Sequence, residues 1–195
     1  MLSTNSAKQT KILHIIYFIL LLTPSIYFGA VTFTVSQFHK DLRDLTQMED
    51  SLQNIKLDTI HAYNGVLCEN AYELQIVELN RRLDDRFPSY ADLSEKESLI
   101  FLSICWGTFG GLIRLLINRL YEKRNRRSHS FFLIPVLAGL SGILTYCLMY
   151  YSPGLLGKEL PTRFMEPEYF AYAGLIGGIF TSSMYKKLDP YAEKK

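Results

Sequence analysis

The sequence predicts an all-α membrane protein: a four-helix transmembrane bundle with an extracytoplasmic helical hairpin or coiled-coil segment between the first and second crossings. Three observations predict it. Two apolar stretches, Ser98 to Leu120 and Phe131 to Tyr151, flank a short basic turn, YEKRNRRSHS. Further apolar runs occupy 12–35 and 169–185, and the polar segment 36–97 carries an apolar residue at every third or fourth position. An α-helix needs about 20 residues to cross roughly 30 Å of hydrocarbon, which the two central stretches supply.

Averages conceal this. With 48% hydrophobic residues and a net charge of +2, the chain of 195 residues has the composition of an ordinary globular domain. Its apolar residues are instead gathered into long runs, and its charges are sorted too. Lys123, Arg124, Arg126 and Arg127 crowd the turn at 121–130 with Glu122 opposing them, and short loops rich in Lys and Arg stay on the cytoplasmic side. Lys8 and Lys11 in the tail 1–11, and Lys186, Lys187, Lys194 and Lys195 in the tail 186–195, agree with that orientation. Residues 36–97 carry seven Lys or Arg against thirteen Asp or Glu, a balance of −6. Both termini are therefore expected in the cytoplasm of a multi-pass membrane protein.

The first crossing, 12–35, resembles a signal peptide in that Pro24 breaks its apolar run and small residues follow, but YFGA puts Phe28 where a cleavage site needs a small residue. It is read as uncleaved and kinked near Pro24, with Thr32, Thr34 and Ser36 at its exit. In 36–97, Phe38, Leu42, Leu45, Met48 or Glu49, Leu52 and Ile55 form one helical stripe. Asn64 and Gly65 suggest a bend, after which Leu67, Ala71 and Leu74, then Ile76, Leu79, Leu83 and Phe87, continue the pattern as far as Pro88. Two such helices need to pack on each other or on a neighbouring subunit. Ser94 and Glu97 form a capping box that starts the second crossing, 98–120.

The third crossing, 131–151, is followed by a loop, 152–168, with Pro153, Gly154, Gly157, Pro161 and Pro167. The fourth crossing, 169–185, is rich in glycine and alanine. Small residues recur four apart in three crossings: Gly107 and Gly111, Ala138 and Gly142, and Gly174, Gly178 and Ser182. Such files let helices approach closely, within one subunit or between subunits of a homo-oligomer.

The basic turn reads as a topology signal that can also dock anionic lipid or an acidic cytoplasmic protein. No adjoining fold shapes a groove for nucleic acid, so no direct nucleic-acid contact is expected. Glu159, Glu166 and Glu168, among Lys158 and Arg163, form either a solvated loop or, in an oligomer, a ring attractive to cations. His14, His39, His61 and His129 share no metal-ligand spacing; Cys68, Cys105 and Cys147 suggest neither a metal site nor a disulfide framework. With no GxSxG, HExxH or P-loop, the sequence points to no enzyme, metal or cofactor.

Two function classes remain. One is a membrane sensor or adaptor that joins the outer helical segment to a cytoplasmic partner. The other is an oligomeric ion channel or pore-forming effector, with the glycine-faced fourth helix near a central axis. The arrangement of crossings, outer segment and cytoplasmic turn YEKRNRRSHS resembles the small four-helix membrane subunits of bacterial anti-phage operons, those of the Kiwa type in particular. That resemblance implies antiviral defence: a homo-oligomeric sensor of phage attack that signals to a soluble DNA-binding partner.

Overall fold

Long apolar runs favour helix because it satisfies every backbone N–H and C=O within the segment, and the computed structural model is accordingly predominantly helical. It describes residues 2–63, 66–121, 128–155 and 166–192. The helices are α1 (Leu2–Gln47), α2 (Glu49–Gln53), α3 (Ala71–Arg86), α4 (Glu95–Tyr121), α5 (Ser128–Leu155) and α6 (Pro167–Ala192), with a 3₁₀ turn at Pro88–Tyr90. Among the described residues, three segments are helical, long and apolar enough to cross a membrane: Ile12–Gln47, Glu95–Ile117 and Leu133–Tyr151. The chain divides into two compact units, Met1–Phe33 with Leu99–Lys195, and Thr34–Ser98. Both α1 and α4 contribute residues to each.

Several boundaries differ from the sequence reading. The helix of α1 runs without a break from the first crossing into the stripe of Phe38, Leu42 and Leu45 and ends at Gln47, and within it Thr32 folds its hydroxyl back onto the Phe28 carbonyl at 2.7 Å. The helix of α5 runs through Ser152–Leu155, at the start of the expected loop, and α6 starts at Pro167, where a missing N–H costs nothing. The larger change lies in 56–70. In place of a continued helical stripe, β1 (Lys56–Tyr63) pairs antiparallel with β2 (Val66–Asn70), with Tyr63 opposite Val66 and His61 opposite Cys68. The expected bend at Asn64 and Gly65 lies outside the described residues. Asn-Gly is, however, the dipeptide that two-residue hairpin loops favour, and Thr59, Ile60, Tyr63 and Val66 around it are strand formers. Asn70 then starts α3 by accepting the Glu73 N–H on its side-chain oxygen at 2.9 Å.

In the first unit, Leu99, Leu102, Tyr146, Phe170 and Ala171 form one buried cluster, with Phe33 and Trp106 against it. Leu112, Leu115 and Ile134 form another, packed by Phe18, Leu21 and Leu22. Between the clusters the backbones meet at glycine. A Cβ on Gly107 would lie 2.6 Å from the Ala138 carbonyl oxygen, and one on Gly111 would lie 2.5 Å from the Ala138 Cβ. One on Gly174 would lie 2.7 Å from the Ser103 carbonyl oxygen; one on Gly142 would overlap that same oxygen, and one on Gly178 the Gly107 carbonyl oxygen. Thus α4 touches α5 and α6 through one strip of backbone. The opposite faces are apolar and open: Leu140, Leu144 and Leu148 on α5, and Tyr172, Ile176 and Phe180 on α6, are each more than half exposed. Patches of that kind are ordinary against lipid and unusual against water.

Gly178→Leu and Gly142→Leu should each lower the stability of the detergent-solubilised chain by roughly 1–3 kcal/mol, because backbone rather than a movable side chain blocks the new atoms. Phe180→Leu, on the open face, should change it little. Thermal unfolding followed by circular dichroism checks this; equal stability of all three variants would contradict the packing described.

Candidate functional site

Within the unit formed by Thr34–Ser98, one face of α1 is fastened to the segment that leads into α4. Ser36, His39 and Arg43 stand three and four residues apart, so their side chains leave the helix on one side. Ser36 donates from Oγ to Ser98 Oγ at 2.9 Å, and Ser98 Oγ donates onward to the Glu95 carbonyl at 2.8 Å. Both serines are buried. The His39 Nε2 lies 2.7 Å from the Leu93 carbonyl oxygen, which can only accept, so that nitrogen carries the hydrogen. Arg43 Nη1 lies 2.5 Å from Glu95 Oε1, with the two side chains 25% and 37% exposed. Just beyond, the predicted capping box is formed: the Ser94 N–H donates to Glu97 Oε2 at 2.9 Å, and the Glu97 N–H reaches Ser94 Oγ at 3.4 Å.

This clasp is built from modest interactions. A partly exposed ion pair contributes about 1 kcal/mol or less, and a hydrogen bond about 1 kcal/mol net. Together they set a geometry without locking it.

A second feature of the same unit is a groove of about 400 Å³ between α1 and α3. Asp41, Asp44, Leu45 and Met48 line one side; Gln75, Glu78, Leu79 and Arg82 line the other. Leu45 is buried at its base, and Met48 is 52% exposed. Arg82 is paired with Glu78 at 2.5 Å, and Gln37 donates to Asp41 at 3.2 Å. Among the described residues no group of His, Cys, Asp and Glu is arranged to hold a metal ion.

The residues singled out from the sequence fall into three groups. Gly107, Gly111, Ala138, Gly142, Gly174 and Gly178 are brought together within one chain, at the contacts of α4 with α5 and α6. Ser182 belongs to α6, one turn past Gly178. Lys123, Arg124, Arg126 and Arg127 lie outside the described residues, as do Lys158, Glu159 and Arg163. Glu168 sits in the first turn of α6, and its buried Oε2 has no partner among the described residues. Cys68 is a buried free thiol, and Cys105 and Cys147 are also unpaired.

Sequence reasoning missed the clasp and the groove. The spacing of Ser36, His39 and Arg43 is visible, but their partners are 52 to 62 residues away. The groove was half visible: its Leu45, Met48 and Leu79 belong to the apolar stripes already noted.

No protein-family model matches the chain, and no curated protein or solved structure matches it either.

Removing Ser98 Oγ leaves the buried Ser36 hydroxyl without its acceptor, so Ser98→Ala should destabilise the Thr34–Ser98 unit by about 1–3 kcal/mol. Arg43→Ala and Glu95→Ala should each have a smaller effect, with a coupling of about 0.2–1 kcal/mol between them. A double-mutant cycle on thermal unfolding measures both; additive effects of the Arg43 and Glu95 changes would show that their contact contributes nothing.

Proposed function

We propose that the chain is an oligomeric, non-enzymatic sensor or adaptor of the bacterial inner membrane, crossing four times with both termini in the cytoplasm. In this reading, residues 36–97 meet a perturbation of the envelope, and the basic turn at 121–130 passes the change to a cytoplasmic protein. The observation that carries it is the clasp. Ser36, His39 and Arg43 join α1 to the residues that open α4, and these are the helices that carry the outer residues into the apolar segments. A polar, partly exposed set of bonds worth a few kcal/mol is the kind of element whose two states a ligand or a load can rebalance.

The resemblance to anti-phage membrane subunits supplies the perturbation, phage attack, and the partner, a soluble DNA-binding protein; the charge of Lys123, Arg124, Arg126 and Arg127 fits an acidic docking surface or anionic lipid. An oligomeric channel is the other reading that the sequence allows. The glycine file that would favour it is buried against α4 of the same chain, so the sensor reading has the better support.

The test uses cells carrying the full chain. With Ser36→Cys and Ser98→Cys, whose parent oxygens are 2.9 Å apart, a disulfide should hold the clasp shut. Recovery of the cytoplasmic partner by pull-down should change on phage challenge in the parent chain, stay constant in the bridged one, and change again after reduction. Replacing Arg124, Arg126 and Arg127 with Gln should abolish recovery. A bridged chain that responds like the parent would sink the reading.

A further inference from the structure

The groove between α1 and α3 has the form of a helix pair without its third helix. Asp41, Asp44, Leu45 and Met48, the last just past the end of α1, stand three, one and three residues apart, and Gln75, Glu78, Leu79 and Arg82 repeat that spacing on α3. Each side therefore offers a stripe of about 10 Å, or two helical turns. Leu45 and Leu79 supply apolar surface low in the groove, Met48 leaves half of its flexible thioether open, and the carboxylates stand along the rims. We propose that this groove docks a short, basic amphipathic helix of a partner protein, with leucine-like side chains on the floor and Lys or Arg against Asp41 and Asp44.

Charge decides the occupant. The outer segment carries seven Lys or Arg against thirteen Asp or Glu, so a second copy would bring the same negative surface, and like fields oppose approach. A cationic partner is drawn in. At the rim, Arg82 is already engaged with Glu78, and Asp41 accepts from Gln37, while Asp44 has no partner among the described residues. A purely apolar helix would take these carboxylates out of water without compensation. A simple polycation would leave the floor unused. Helix-in-groove recognition needs this combination of floor and rim. The proposal deepens the sensor reading, on which it rests for its meaning, by giving the chemistry of what the outer segment recognises.

The full chain in phosphatidylcholine nanodiscs is titrated with a fluorescent peptide of sequence ALKKALKKALK. Saturable binding should weaken about tenfold or more, roughly 1.4 kcal/mol, in the Asp41→Asn/Asp44→Asn variant. Met48→Lys, which puts a cation on the floor, should weaken it similarly, and the peptide with serine in place of leucine should not bind. Circular dichroism confirms that the variants remain folded. Equal affinity of parent and variants overturns the proposal; so does equal binding of the serine peptide, which would reduce the groove to a patch of charge. Cross-linking of position 44 to a second copy would assign the groove to self-association and overturn it as well. Partner recovery is measured in the same variants. Phage-dependent recovery in a chain that binds no peptide removes the docking site and spares the sensor reading; peptide binding without any such response does the reverse.

Discussion

The association of α4, α5 and α6 depends on how closely their backbones approach, the kind of contact that joins apolar helices where burial from water supplies no drive. Glycine sets that distance here. The Ser103 carbonyl faces both Gly142 and Gly174, the Gly107 carbonyl faces Gly178, and Gly107 itself faces the Ala138 carbonyl. Each pairing brings a Cα–H toward a carbonyl oxygen, a weak contact that recurs along one strip of α4. Thr108, Ser103 and Thr145 bend their hydroxyls back to carbonyls of their own helices, at 2.8 to 2.9 Å, and so satisfy these three groups without a partner on a neighbouring helix. The apolar side chains outside the strip stay open, as those of Leu144 and Phe180 do.

The unit formed by Thr34–Ser98 rests on another kind of interaction. Water competes for the partly exposed Arg43 and Glu95, while Ser36 and Ser98 bond out of its reach. The bonds of Ser36, His39 and Arg43 to Ser98, Leu93 and Glu95 are each of modest strength.

What was legible in the sequence was local. The capping box of Ser94 and Glu97 and the glycine steps of α4 and α6 depend on residues three or four apart, and helical periodicity fixes which side they share. Which helix each glycine meets was not legible, since spacing alone is the same within and between subunits. The clasp was invisible for the same reason, as Ser36 and Ser98 are 62 residues apart. The hairpin at 56–70 was misread because Leu52, Ile55 and Leu67 extend a helical stripe across it, while Asn64-Gly65 and the strand formers beside it favour pairing. Thr32 and Ser36, read as the exit of the first crossing, lie inside α1, where their hydroxyls are satisfied by Phe28 and Ser98.

Taken together, α4 is the element on which the account turns: its start is held by polar bonds to α1, and its middle by glycine contacts to α5 and α6. The most direct measurement is the distance between spin labels at Thr46 and Asp92, by pulsed electron resonance, on the full chain in nanodiscs with its native cysteines replaced by alanine. A closed clasp gives one narrow distance, which should broaden and lengthen when Arg43 and Ser98 are replaced with alanine. An unchanged distribution in that variant would mean that these bonds do not hold α1 to the start of α4, and would contradict the account.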